Sequence, residues 1–426
     1  IKITSRRRSM MASRPEQPRD EKAHSFHLCS SSSSFSSSSG EKEPACAEAV
    51  NRTLNLNLGL GIDPMTPSLR YTCKILSDVF GLFEELLFYL WLCIPLIIRH
   101  KFTMKAWSLF LSIHRRLIGR KSGIHPDASE EYHALTSIAW WSRLFPMTMR
   151  RMRFGLNQIE VWVPPTGKAY STERIDCKET GASGIYMQIN DRPSERVIFW
   201  LYGGAYLSGD CVGNLGTAEM VARKTNCDVF LAEYRLLPEH EFVDCIKDAH
   251  DAYNYLLTVK KVQPSNVFMF GISSGGGIAV YLMQDLAKAA RDKLPRAAVL
   301  MCPFVEYTEP KGSLVHYVKH DLIVTQSVYA VGIPYLAKKL GSHENRVKES
   351  PVFRPFESLP PLCVVISEHE CCYDMTISLV NNARAQGVNV EIAVWKYLCH
   401  VFPMLSAMIP EGKEAINYMC EWMKHH

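Results

Sequence analysis

A serine with the spacing of a nucleophile lies in Gly271-Ile272-Ser273-Ser274-Gly275-Gly276-Gly277, between an apolar run and a helical one. A sharp strand-to-helix turn lifts the Ser273 Oγ clear of the backbone, where it can attack a carbonyl carbon. Gly271 and Gly275 are small where the strand and helix must approach closely. The helix start behind Ser273 offers N–H groups and the positive end of its dipole to a developing oxyanion, Ser274 N–H among them. Upstream, Tyr202-Gly203-Gly204-Ala205-Tyr206 follows another apolar run. Gly204 and Ala205 can present further backbone N–H donors there with no bulky side chain in the way. Either segment alone also reads as an ordinary glycine turn; together, some 70 residues apart, they point to acyl transfer.

A nucleophilic serine needs a base, and the base needs an orienting acid. On a sheet of this kind the chain order is Ser, acid, His. His400 lies just beyond the apolar run 390–395 and is the candidate base. His369 is the rival, but it precedes that run. The acid comes from Ser367-Glu368-His369-Glu370-Cys371-Cys372-Tyr373-Asp374. Glu370 is preferred, with Asp374 the alternative acid and Glu368 behind both. Such chemistry needs no metal and no cofactor.

The elements that must hold these residues alternate. Strands are expected at 197–202, 228–234, 266–271, 296–302, 361–366 and 390–395. Helices are expected at 215–225, 242–259, 275–290, 381–385 and 411–424, from apolar residues at helical spacing. That alternation predicts an α/β fold, with a mostly parallel central sheet flanked by helices. Residues 102–156, with Trp107, Phe110, Trp140, Trp141 and Phe145, are expected to form the first part of a helical cap over the catalytic domain 157–426, completed by an insertion near 310–345.

The 426 residues are unevenly composed, and their mean hydropathy of −0.07 averages opposites. Residues 1–70 form a Ser-rich tail expected to be disordered, with nine serines between positions 30 and 40. Its Arg6-Arg7-Arg8 run and the sequon at Asn51 read as features of a solvated tail. Residues 71–101 contain thirteen uncharged apolar residues at 86–98. That run is short of the roughly 20 a spanning helix needs. An interfacial or re-entrant helix is preferred, a true span next, a buried cap helix last. The net charge of +5 gives no reason to expect nucleic acid as a partner. The 14 cysteines lack zinc-site spacing and are too few for a disulfide scaffold. Cys371, Cys372 and Cys399 read as local packing in a reducing compartment.

From about residue 196 onwards the chain resembles the hormone-sensitive lipase family of α/β-hydrolases. The family's His-Gly-Gly-Gly and Gly-Asp-Ser-Ala-Gly-Gly are matched by residues 202–205 and 271–276. Its Tyr-Arg-Leu-Ala-Pro-Glu-His-x-Phe is closely matched by residues 234–242, a turn into the helix bearing Asp248. Its Asp-Pro-Leu-x-Asp and His-Gly-Phe fall on residues 370–374 and 400–402, so the resemblance implies an α/β-hydrolase fold and the triad Ser273, Glu370, His400. Tyr202, Ala205, Ile272 and Glu370 depart from the family's His, Gly, Asp and Asp. The arrangement resembles the membrane-associated arylacetamide and steryl deacetylase branch. It implies a serine carboxylesterase for hydrophobic, including acetyl, esters at a membrane surface, on the endoplasmic reticulum or another endomembrane, with the cytoplasmic face favoured. The alternatives are a soluble short-chain esterase in the cytosol and a non-catalytic small-molecule-binding protein on the same fold.

Overall fold

The computed structural model describes residues 96–117, 127–142, 149–157, 163–165, 171–189 and 193–426 except 319, with single positions at 87, 90, 91, 93 and 94. The expected tail, and most of the apolar stretch before residue 96, lie outside the described residues.

Three helices come first: α1 (Leu96–Leu117), α2 (Glu130–Ser142) and α3 (Met149–Asn157). Strands β1 (Ser171–Cys177), β2 (Ala182–Gln188) and β3 (Val197–Leu201) follow. Then come α4 (Cys211–Thr225), β4 (Asp228–Ala232), α5 (Phe242–Thr258), β5 (Val267–Ile272), α6 (Ser274–Ala289) and β6 (Ala297–Met301). The insertion contributes α7 (Ser313–His316), α8 (Gln326–Leu340) and α9 (His343–Glu349). The chain closes with β7 (Leu362–Ser367), α10 (Tyr373–Ala385), β8 (Val390–Trp395) and α11 (Pro410–His425).

The eight strands form one sheet in the order β1-β2-β4-β3-β5-β6-β7-β8. From β4 to β8 all pairs are parallel, while β1–β2 and β2–β4 are antiparallel. The inner strands read as continuous apolar runs because helices cover both faces: every residue of β3, β4, β5, β6 and β7 is buried. The expected strands and helices of the catalytic domain are present, with shifted ends. Helix α4 starts four residues before the expected 215, where Asp210 caps it by accepting from Gly213 N–H at 2.6 Å. Helix α10 starts at Tyr373, ahead of the expected helical stretch 381–385, so Asp374 lies in its first turn.

Parallel register places the useful loops on one edge. Leu201 of β3 pairs with Gly271 of β5, and Ser367 of β7 pairs with Trp395 of β8. The loops bearing Gly204, Ser273, Glu370 and His400 all follow these strand ends. The described parts of the segments expected to form a cap carry helices α1, α2, α3, α7, α8 and α9. Helix α1 is continuous across the expected boundary at residue 101. Arg115 joins it to Glu130 and Glu131 of α2 at 2.9 and 3.0 Å. The chain is tied to α11 just ahead of α2, where Ser129 N–H and Oγ–H donate to the Glu411 carboxylate at 2.7 and 2.9 Å.

Candidate active site

Ser273 caps β5 and opens α6 with φ 51° and ψ −117°, a conformation strained for a residue with a Cβ. Its backbone is held on both sides: its N–H donates to Met301 O, and its carbonyl accepts from Gly277 N–H and Phe304 N–H, all within 2.9–3.1 Å. The turn is possible because of glycine. A Cβ on Gly275 would overlap the carbonyl oxygens of Leu201 and Tyr202. One on Gly271 would lie 2.6 Å from Gly276 Cα. The close strand–helix approach read from the sequence is thus a steric fact of the turn.

The structure brings Ser273, His400 and Glu370 into a chain. Ser273 Oγ lies 2.7 Å from His400 Nε2, and His400 Nδ1 lies 2.6 Å from Glu370 Oε2. A carboxylate only accepts, so Nδ1 carries the proton and Nε2 is left to accept from the Ser273 hydroxyl. Glu370 is wholly buried and His400 nearly so, while Ser273 keeps a little exposure. The same Oε2 accepts from Cys372 N–H at 2.9 Å, which fixes the carboxylate. Burial works against the charged imidazolium, and neighbours reverse this, raising the His400 pKa well above the ordinary histidine value. Burial also pushes the Cys371 thiol up, so that thiol is neutral and Glu370 supplies the charge.

The other candidates are placed elsewhere. Asp374 accepts from Ser313 N–H at 2.8 Å and so anchors α7. His369 packs against Tyr397, ring centroids 4.5 Å apart with the rings tilted by 42°, and lies 3.5 Å from Glu368. Gly204, Ala205 and Ser274 line the edge beside Ser273. Gly204 and Ala205 have φ of 141° and 57°, and their N–H groups, like that of Ser274, make no hydrogen bond among the described residues. Gly203 is in contact range of Ser273: a Cβ on it would lie 3.1 Å from the Ser273 Cβ. Tyr202, where the related family has His, braces this loop in its own way. Its ring stacks on Tyr234 at 4.3 Å, its hydroxyl donates to Tyr234 O at 3.2 Å, and Tyr234 returns a bond to Tyr202 O at 2.6 Å.

The 234–242 segment has a structural role. Arg235 grips Asp248 of α5 with its backbone N–H, Nε and Nη2 at 2.8–2.9 Å, setting the turn between β4 and α5.

Two residues that sequence reasoning did not single out support the site. Asp321, from the insertion, is buried and accepts from His400 N–H at 2.7 Å. Its other oxygen takes Ile323 N–H and Val324 N–H at 2.8 and 2.9 Å. Arg153 of α3 donates Nε to Leu207 O at 2.7 Å and Nη2 to Leu237 O at 2.8 Å. It also pairs with both oxygens of Glu239. Arg153 was one of three arginines in a nine-residue helix, and Asp321 is 79 residues from His400; neither carries a local signal.

Sheet order, crossover helices and this Ser–His–acid edge define an α/β-hydrolase fold. A family model described as alpha/beta hydrolase fold matches residues 198–404. The chain is 28% identical over 228 residues to an esterase of Acinetobacter venetianus, covering 53% of this chain and 74% of that one. It is equally 28% identical over 227 residues to an acetyl-hydrolase of Streptomyces hygroscopicus, with the same coverage. Among solved structures, an esterase from the bacterial hormone-sensitive lipase family superposes with a TM-score of 0.62 at 25% identity, over 70% of this chain and 98% of that one. These likenesses are to esterases and an acetyl-hydrolase, and they bear out the α/β-hydrolase fold.

Proposed function

We propose that the protein is a carboxylic ester hydrolase working through an acyl-enzyme on Ser273. One observation carries this: the buried chain Ser273 Oγ–His400 Nε2–His400 Nδ1–Glu370 Oε2, with links of 2.7 and 2.6 Å. In the reaction, His400 takes the Ser273 proton as Oγ attacks the ester carbonyl. The Gly204, Ala205 and Ser274 N–H groups receive the oxyanion. His400 then protonates the leaving alcohol, and in the second step it deprotonates the attacking water. Glu370 orients the imidazole and stabilises its charged form throughout. The named activities of the relatives, esterase and acetyl-hydrolase, favour small-molecule esters, acetyl esters among them.

The test is labelling by a fluorophosphonate together with hydrolysis of p-nitrophenyl esters of graded chain length. Both are expected in the native protein and both should vanish in Ser273→Ala. Labelling of a folded Ser273→Ala variant would put the nucleophile elsewhere, and none in the native protein would favour a binding protein on the same fold.

Membrane attachment is a second part of the proposal. Helix α1 buries Trp107 and His114 but leaves Ile98, Phe102, Leu109, Ile113 and Leu117 exposed as a stripe at helical spacing. Such a stripe suits a helix lying in the lipid headgroup region, on the cytoplasmic face of an endomembrane. Among the described residues no helix is long and apolar enough to cross a membrane. Fractionation of the full chain tests this: recovery entirely in the high-speed supernatant would refute attachment.

A further inference from the structure

The residues around the triad acid form a second constellation that ester hydrolysis does not use. Cys371 and Cys372 follow Glu370 directly, and all three are buried with His400. The two thiol sulfurs are 3.8 Å apart, and Cys371 Sγ lies 3.6 Å from Glu370 Oε2. One donor atom from each of Glu370, Cys371, Cys372 and His400 falls within 4.8 Å of every other. The other carboxylate oxygen, Glu370 Oε1, is buried with no hydrogen-bond partner. A buried carboxylate oxygen left without a donor calls for an explanation, and a cation supplies one.

Tetrahedral zinc geometry can be compared with these separations directly. Zn–S bonds of about 2.3 Å and Zn–N or Zn–O bonds of about 2.0–2.1 Å imply edges of about 3.8 Å between sulfurs, about 3.5 Å from sulfur to oxygen, and about 3.3 Å from nitrogen to oxygen. The Cys371–Cys372 sulfur separation and the Cys371–Glu370 sulfur–oxygen separation already match. The His400–Glu370 pair, at 2.6 Å, must open by about 0.7 Å on the same geometry, and the remaining edges lie within 4.8 Å. Charge also balances. Entry of a dication expels the two thiol protons, and the His400 proton moves from Nδ1 to Nε2, so the net charge of the buried site is unchanged. Thiolate, imidazole and carboxylate together select Zn²⁺-like thiophilic ions over hard ones such as Mg²⁺.

We propose that Glu370, Cys371, Cys372 and His400 Nδ1 form an inhibitory site for a thiophilic divalent cation, with Zn²⁺ the best fit. The loaded state cannot activate Ser273, because His400 Nε2 then carries the proton and has no lone pair to accept another. The inhibitory half rests on the ester hydrolase reading; the binding half does not.

The experiment uses the full chain, stripped of metal by a chelator and titrated with Co²⁺. A thiolate-to-cobalt charge-transfer band with tetrahedral visible absorption is expected at one ion per chain, displaced by Zn²⁺. Cys371→Ala and the double variant with Cys372→Ala should lose that signal. Relative to each protein's own metal-free rate, their Zn²⁺ inhibition should weaken at least about a hundredfold, beyond the 10–100-fold typical of losing only an outer-shell partner. Absence of the cobalt band in the native protein, or equal Zn²⁺ sensitivity in native and variant proteins, would overturn the proposal. If the double variant does not fold, the native spectrum and the single variant still decide it. If no ester is hydrolysed at all, the spectrum alone judges the site, so the two readings fail separately.

Discussion

Glu370→Gln is the most searching perturbation of the proposed mechanism. Oε2 accepts from both His400 Nδ1–H and Cys372 N–H, while Oε1 has no partner. A glutamine can place its carbonyl at the first position, burying an NH₂ with nothing to donate to. Flipped, it aims that NH₂ at two donors and forces the His400 proton onto Nε2, the wrong nitrogen for activating Ser273. In the first orientation the tautomer survives but the charge is lost. With edge atoms 2.6 Å apart, the charges of imidazolium and carboxylate are centred about 4 Å apart, worth about 4 kcal/mol at an effective dielectric of about 20. That is about a thousandfold in rate. The wrong tautomer costs about ten thousandfold in the serine protease precedent. A kcat loss of about 10³–10⁴ is therefore expected for p-nitrophenyl acetate, with circular dichroism unchanged. Glu370 raises the His400 pKa against the cost of burial, so native kcat/KM should fall as the pH drops through a value above the ordinary 6.5. In the variant that acid limb should move to lower pH. A loss of tenfold or less in a folded Glu370→Gln protein, or a larger loss in Asp374→Asn, would refute the assignment.

Other perturbations follow from the same geometry. Asp321→Ala should lower kcat about ten- to a hundredfold, since a charged hydrogen bond to the His400 backbone is worth about 1.5–3 kcal/mol; Ser273 labelling rates against thermal melts will separate this from simple unfolding. Gly275→Ala should abolish soluble, labelled protein, because its Cβ overlaps two carbonyl oxygens; normal expression and labelling would show the turn to be less constrained. Arg153→Met should lower activity and thermal stability together by detaching α3 from Leu207 and Leu237. The Arg153 guanidinium beside Glu239 holds that carboxyl down at about 2, below its ordinary 4.5. Its stabilising contribution is therefore present above about pH 4.5 and lost as the pH falls toward 2. Acid denaturation followed by circular dichroism should show a shallower decline between those values in Arg153→Met.

The central strands were legible in the sequence because burial on both faces makes runs such as 197–201 uninterruptedly apolar. The polar edge strand Ser171–Cys177 gave no such signal: its first four residues are exposed, and its pairing with β2 is what makes it a strand. Ser273 and His400 were legible from chain order and the glycine context. Between Glu370 and Asp374 the sequence offers two acids four residues apart, and the difference is three-dimensional. Glu370 precedes the start of α10 and turns inward, whereas Asp374 lies in its first turn and meets Ser313. Arg153 and Asp321 were invisible for a related reason. Their partners are 54–86 and 79 residues away in the chain, and only the folded chain makes them neighbours.

The paired anchoring of α3 and of the inserted segment has a consequence for how such proteins can be rebuilt. Arg153 reaches from the N-terminal cap helices to the carbonyl of Leu207, next to the oxyanion loop, while Asp321 reaches from the inserted segment to the backbone of His400. Both segments therefore supply bonds to the loops beside Ser273 and His400. Exchanging this cap for one from another scaffold would not be a modular graft. A foreign cap would have to bring its own acceptor for the histidine loop and its own cation for the 207–239 turn, and without them a chimera would inherit the three reacting side chains but not their registration.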